Sequence, residues 1–172
     1  TDDQFGQAKV DFAVTNKLIV DHFRHHQDVQ VITGFIATAE TGETTTLGRS
    51  GSDYPGAIFA GALNASDLEI WTDVDGMMTA DPRLVKKSFT VPQMSYEEAM
   101  ELSHFGAKVI FPATIQPAMV NRIPIWIRNT FNPSFRGTVI HAESANGKLI
   151  KGISSMNGVS LLNVQGSGLL GV

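Results

Sequence analysis

The sequence predicts an α/β protein with an open, mainly parallel sheet and helices on both faces. Three observations lead there. Segments with helical spacing alternate with short runs of apolar and β-branched residues. Those runs are nearly continuous in apolar character, the pattern of strands covered on both sides. Loops carrying glycine and charge stand at the ends of the runs, where open α/β sheets gather their ligands.

Residues 14–27 have helical spacing, with Val14, Leu18 and Phe23 among the apolar positions. Residues 29–33 are a β-branched run stopped by Gly34 and predict a buried strand. Residues 40–46 are polar with a glycine, a loop or hairpin tip. Asp53 opens a helix, rich in Ala, Ile, Phe and Leu, that runs to about Asn64. Leu68-Glu69-Ile70-Trp71 is the next strand. Ser95-Tyr96-Glu97-Glu98 is a capping box: the serine accepts the third helical N–H while Glu98 reaches back. Met94 and Ala99 occupy the staple positions, Ala99, Leu102 and Phe105 share a face, and Gly106 suits the C-terminal stop. A short helix follows Pro112, and Ile123-Pro124-Ile125-Trp126-Ile127 is a further strand. Trp71 and Trp126 fall within strand patterns and are expected in the core.

Residues 132–148 turn polar and glycine-containing, which marks a boundary. Beyond it, Val159-Ser160-Leu161-Leu162-Asn163-Val164 is a new strand pattern. A lone strand with a Gly-rich tail cannot bury itself, so a second domain is expected to begin there and to be completed elsewhere. The division read from the sequence is a first unit over residues 1–140, a linker over 141–151, and the opening of a second unit over 152–172.

A chain of 172 residues, with 42% hydrophobic and 17% charged residues, is long and apolar enough for a globular core. A net charge of -4 argues against a general nucleic-acid binder, which needs a basic face. The absence of cysteine excludes disulfides and thiolate metal sites. No stretch approaches the roughly 18 apolar residues of a membrane span, and the start lacks a secretory pattern. The expectation is a cytoplasmic protein without membrane partners. The chain opens on Thr1 rather than Met, which suggests a piece of something larger.

Two loops carry the chemistry. Gly48-Arg49-Ser50-Gly51-Ser52-Asp53 precedes a helix whose N-terminal N–H groups and dipole favour an anion, with glycines allowing close approach and Arg49 able to grip a carboxylate or phosphate. A plain helix cap by Ser52 or Asp53 explains the same residues. Thr72-Asp73-Val74-Asp75-Gly76, followed by Asp81-Pro82-Arg83, sets three carboxylates at the end of a strand. They suit magnesium or nucleotide hydroxyls, with Arg83 and Lys108 neutralising phosphates. A polar turn, or for Lys108 a contact with a helix C-terminus, explains them equally. His22 and His26 have metal-ligand spacing but lack partner ligands, and Gly166-Ser167-Gly168-Leu169-Leu170-Gly171 matches a dinucleotide fingerprint without the helix that should follow.

Together these stretches resemble aspartate kinase, of the amino-acid kinase superfamily. The likeness is carried in order by Val31-Ile32-Thr33-Gly34-Phe35-Ile36-Ala37, Thr46-Leu47-Gly48-Arg49-Ser50-Gly51-Ser52-Asp53-Tyr54, Glu69-Ile70-Trp71-Thr72-Asp73-Val74-Asp75-Gly76, Asp81-Pro82-Arg83, Ser95-Tyr96-Glu97-Glu98, Phe105-Gly106-Ala107-Lys108-Val109 and Asn129-Thr130-Phe131-Asn132-Pro133. Lys151-Gly152-Ile153-Ser154-Ser155 onward is similar to the start of an ACT regulatory region, and the wording is nearest the bifunctional aspartokinase–homoserine dehydrogenase type.

The resemblance implies the carbamate kinase-like fold, lacking its N-terminal part, and transfer of phosphate from ATP, with Mg2+, to the side-chain carboxylate of L-aspartate. That reaction opens lysine, threonine and methionine biosynthesis. It also implies Asp53 at the reacting centre, Arg49 and Ser52 on the substrate, and Thr72, Asp73, Met78, Arg83, Lys108 and Val109 on the nucleotide. Ser50 stands where Gly is frequent in the family and Met78 where Tyr is frequent. The family's opening Lys-Phe-Gly-Gly loop, whose lysine faces the phosphates, has no counterpart here, so this chain alone is expected not to turn over. A homodimer or higher homo-oligomer is expected through the ACT-like strand. A glutamate or acetylglutamate kinase, or a non-catalytic nucleotide-binding or regulatory module, are the competing readings.

Overall fold

Ten elements follow one another along the chain in this computed structural model, which describes residues 1–4, 6, 8–48, 52–106, 109–143 and 150–160. Helix α1 (Phe12–His25) is capped by Asp11, whose carboxylate accepts from Val14 N–H at 3.1 Å. Strands β1 (Ile36–Thr38) and β2 (Thr44–Thr46) form an antiparallel hairpin. Helix α2 (Asp53–Leu63) ends on Asn64 in the left-handed conformation, and β3 (Leu68–Thr72) follows. Strand β4 (Gln93–Ser95) runs directly into α3 (Tyr96–His104), and α4 (Pro112–Val120) precedes β5 (Ile125–Asn129) and β6 (Thr138–His141).

The main sheet has the order β3-β5-β6-β4. β3 with β5 and β4 with β6 are parallel, and β5 with β6 is antiparallel. The α/β class with a mainly parallel sheet is therefore what the chain adopts. Register places Ile70 beside Ile127, Ile125 beside Ile140, and Met94 beside Ile140, so these side chains share one face. That face packs on Ala60 of α2, Tyr96 and Ala99 of α3, and Ile115 and Ala118 of α4 as one buried cluster. The Tyr96 hydroxyl donates to the Ile123 carbonyl at 2.7 Å, tying α3 to the entrance of β5. Burial pushes the Tyr96 phenol pKa up.

The capping box forms in full: Glu98 N–H donates to Ser95 Oγ at 3.1 Å, and Ser95 N–H to Glu98 Oε2 at 2.7 Å. Met94 and Ala99 are both fully buried, as a staple requires.

Four local expectations are corrected. Residues 29–33 form no strand; Val29 and Val31 are 95% and 97% exposed. Among the described residues nothing pairs with them, and β-propensity is realised only against neighbouring strands. Trp71 is 45% exposed rather than core. It alternates with Ile70, so with Glu69, Trp126 and Arg128 it belongs to the opposite sheet face, where Arg128 lies 5.0 Å above its ring. Phe105 leaves the face of Ala99 and Leu102 because α3 stops at His104, and it is 56% exposed. The polar stretch 132–148 contains β6, with Thr138 and Ile140 fully buried. Residues 159–160 have no regular structure, and the rest of the strand expected there, with Gly166-Ser167-Gly168-Leu169-Leu170-Gly171, lies outside the described residues.

Residues 150–153 lie back against the main body. Lys151 Nζ meets Glu98 Oε2 at 2.8 Å, and Ile153 N–H donates to the Thr79 carbonyl at 2.9 Å. No described helix is long and apolar enough to cross a membrane.

Thr138 is the polar residue on which this packing turns. Its buried hydroxyl donates to the Val91 carbonyl at 2.7 Å and accepts from Met77 N–H at 2.8 Å. Thr138→Val keeps the shape but strands both backbone groups. Chemical denaturation of this variant should show a loss of about 2–4 kcal/mol, since each unsatisfied buried group costs about 1–3 kcal/mol.

Candidate functional site

Chain direction brings four element ends together. The turn at residues 64–67 reverses the chain between α2 and β3, and residues 121–124 do the same between α4 and β5. The helix N-termini therefore lie toward the C-terminal ends of their strands. α2 and α4 pack side by side, and their last turns adjoin: a Cβ on Gly61 would meet Asn121 Nδ2 at 3.1 Å and the Pro117 carbonyl at 3.5 Å. Their first turns consequently stand at the same end of the layer. At that end Thr72 and Asn129, the last residues of β3 and β5, are register partners. Thr130 N–H continues the ladder to the Thr72 carbonyl at 2.8 Å.

The acidic loop after β3 is held in a fixed shape. Gly76 has φ +116 and sits against β6; a Cβ there would lie 2.5 Å from Thr138 Oγ1 and 2.9 Å from its nitrogen, so only glycine fits. Beyond it, the chain pairs back on itself. Val91 N–H donates to the Met77 carbonyl at 2.8 Å, Thr79 N–H to the Phe89 carbonyl at 2.9 Å, and Met78 bridges Thr90. Met78 is half-buried, with the Thr90 hydroxyl 3.5 Å from its sulfur.

The three loop carboxylates have separate environments. Asp73 is exposed and, among the described residues, accepts only from the Thr72 hydroxyl, at 3.2 Å. Asp75 is half-buried and accepts from Asn129 Nδ2 at 2.8 Å and Asn132 Nδ2 at 3.2 Å. Asp81 is bound by Arg83, with Nη2–Oδ2 at 2.7 Å, Nε at 3.0 and 3.1 Å from the two oxygens, and the Arg83 N–H at 2.8 Å. The side-chain bonds from Arg83, then its backbone bond, hold the Asp81 carboxyl below the usual range. Among the described residues no three His, Asp or Glu side chains form a metal-holding group. His22 and His26 instead stack at 4.2 Å.

Of the residues expected from sequence, Thr72, Asp73 and Met78 belong to β3 and its loop. Ser52 and Asp53 stand at the α2 N-terminus, where Ser52 does not cap the backbone but donates to Asp53 Oδ1 at 3.2 Å. Val109 lies just ahead of α4 and packs against the core. Arg83 is at the exposed end of the loop, committed to Asp81. Arg49 and Lys108 lie outside the described residues. Sequence reading assigned no role to Asn129, Asn132 or Thr138. The usable signal was the polar residue closing an apolar strand, with a second asparagine three positions on.

The chain belongs to the amino acid kinase family, whose sequence profile matches residues 1–129. Within that family it is similar to aspartokinases. It is 49% identical over 145 residues to the bifunctional aspartokinase/homoserine dehydrogenase of Haemophilus influenzae, covering 84% of this chain and 18% of that protein. It is 37% identical over 172 residues to the lysine-sensitive aspartokinase 3 of Escherichia coli, covering 99% of this chain and 38% of that protein. The crystal structure of E. coli aspartokinase III in complex with aspartate and ADP superposes with a TM-score of 0.83 at 39% identity, covering 88% of this chain and 34% of that one. The chain thus spans about a fifth to two fifths of these relatives' length.

The Asp81–Arg83 pair lies at the surface, with Arg83 exposed and Asp81 partly covered, so it adds little to stability. Its signature is electrostatic: a lowered carboxylate pKa keeps the pair intact at neutral pH and releases it as pH falls through the folded-state value. Carboxyl-carbon NMR titration should find the Asp81 midpoint below that of ordinary aspartates and see it rise in Arg83→Ala. An unchanged midpoint would mean that the pair does not persist in solution.

Proposed function

We propose that this chain carries the nucleotide side of an aspartate kinase, a phosphotransferase that moves the γ-phosphoryl of ATP to the side-chain carboxylate of L-aspartate. The observation that carries the reading is the gathering of the α2 and α4 N-termini with the C-terminal ends of β3 and β5. Two helix dipoles and a rigid strand-end loop at one edge suit a phosphorylated ligand. The likeness to aspartokinases along nearly the whole chain favours aspartate over glutamate or acetylglutamate as the acceptor.

In this reading Thr72, Asp73, Met78, Arg83, Lys108 and Val109 face the nucleotide, while Arg49 and Ser52 face the aspartate. Arg83 would trade Asp81 for a phosphate by a rotation of an exposed side chain. Met78 offers an apolar wall held by its bridge to Thr90. Asp53, at the head of α2, would sit at the reacting centre and orient the groups around the transferring phosphoryl. Phosphoryl transfer requires little covalent help, so holding acceptor and donor in line with neutralised charge is the protein's main task.

Mg2+ fits the residues present. It usually takes one or two carboxylates and completes its shell with phosphate and water, and among the described residues Asp53 and Asp73 are the site carboxylates that no cation or amide pair occupies. When bound, the ion would spread the negative charge of the phosphates.

Residues 1–140 would then form the nucleotide-binding part of the kinase domain, 141–151 a linker, and 152–172 the start of an ACT-like regulatory unit. Lysine, threonine and methionine biosynthesis, allosteric control and a cytoplasmic homodimer or higher homo-oligomer belong to the same proposal.

Isothermal calorimetry should detect MgADP binding to the chain, weakened about tenfold by Arg83→Ala if one charge-assisted phosphate contact is lost. A coupled ADP-release assay with aspartate should show no turnover, because the sequence holds no Lys-Phe-Gly-Gly loop. Absence of MgADP binding would contradict the nucleotide assignment, and aspartate-dependent turnover would show that the lysine loop is dispensable.

A further inference from the structure

We infer that Asp75 is a positioning residue: its carboxylate clamps the loop after β3 to the loop after β5 and so sets the direction in which Thr72 and Asp73 are presented. The inference rests on the nucleotide reading above but assigns a residue that the family resemblance did not mark.

The geometry is specific. Asn129 and Asn132 both donate to the same oxygen of Asp75, Oδ1, at 2.8 and 3.2 Å. The Asn129 amide is not free to turn away. Asn129 Oδ1 accepts from Phe131 N–H at 2.8 Å, and the Asn129 side chain sits in a residue only 9% exposed. Asn132 N–H returns to the Asn129 carbonyl at 3.1 Å, closing a turn that brings the two residues' backbones together. The pair therefore forms a two-pronged donor at the end of β5, with Asn129 its fixed prong. Asp75 lies between Asp73 and Gly76, and Gly76 is itself locked against Thr138. The loop is thus fastened at Thr72 by the ladder, at Asp75 by the amides and at Met77 by the Thr138 hydroxyl. Removing the middle fastening leaves Asp73 and Val74 on a free arc between two anchors.

The pattern also separates positioning from direct ligation. Both amides use one oxygen, and a neutral amide carbonyl can accept those same two bonds. An asparagine at position 75 should therefore preserve the clamp although it removes the charge. A metal-binding or phosphate-sensing role for Asp75 would instead require the charge.

The test compares Asp75→Ala, Asp75→Asn and Asn132→Ala with the unsubstituted chain, using amide hydrogen exchange on the free protein and calorimetry with MgADP. Asp75→Ala should raise exchange of the 73–77 amides at least about tenfold while β5 and β6 stay protected, and weaken MgADP about tenfold through loss of two bonds to a charged acceptor. Asp75→Asn should recover most of both effects, and Asn132→Ala should show them in reduced form. Unchanged loop exchange and MgADP affinity in Asp75→Ala would overturn the clamp, as would failure of Asp75→Asn to rescue. Should Asp75→Ala expose β5 as well, Asn132→Ala decides, and protected loop amides in that variant overturn the inference. If the loop loosens as expected but the unsubstituted chain takes no MgADP, the clamp stands and the nucleotide reading fails.

Discussion

One buried hydroxyl holds together the end of this molecule that carries the candidate site. Thr138 lies far along the chain from both groups it bonds, Met77 N–H and Val91 C=O, and has no access to solvent. Neither backbone group has water as an alternative, so the loop after β3 and the approach to β4 must both return to the start of β6. That requirement draws β6 between β5 and β4 and presses Gly76 against it. The acidic loop is consequently part of the sheet's construction and not an independent turn.

The site follows from direction. Short reversals after α2 and α4 send helix N-termini and strand C-termini to the same edge, and Gly61 lets the last turns of the two helices approach closely at Pro117 and Asn121. Partial positive charge from two helices then faces a loop whose carboxylates are sorted by their partners. Asp81 is matched to Arg83 and Asp75 to two amides, while Asp73 remains open to solvent. A single edge can thus present helix N–H groups beside an exposed carboxylate. This arrangement suits a phosphate chain accompanied by a metal ion.

Much of this was legible in the sequence, for reasons that can be named. The capping box at Ser95 and Glu98 is local chemistry, and it formed as read. The helix beginning at Asp53 and the strand ending at Thr72 were set by spacing and by flanking polar residues. Order-specific motifs identified the family. The misreadings arose where the outcome depends on distant partners. Residues 29–33 have the composition of a strand but no ladder partner among the described residues. Trp71 lies in an apolar run whose composition suits a strand covered on both sides, whereas its alternation with buried Ile70 sends it to the opposite face beside Arg128. β6 was hidden because Thr138, Gly137 and Arg136 look like loop, and only the hydroxyl's two long-range bonds show that a polar side chain belongs inside. Asn129 and Asn132 escaped for the same reason, since Asp75 is more than 50 residues away.

The central claim is that the α2 and α4 N-termini and the β3 end surround one ligand. Paramagnetic broadening by Mn2+ with ADP, read in amide NMR spectra of the chain, tests it most directly. The account predicts simultaneous, distance-graded broadening at Ser52, Asp53, Thr72, Asp73 and Val109, with Ala65 and Arg122 at the opposite end of the layer unaffected. Broadening confined to one of those loops, or centred on Ala65 and Arg122, would contradict it.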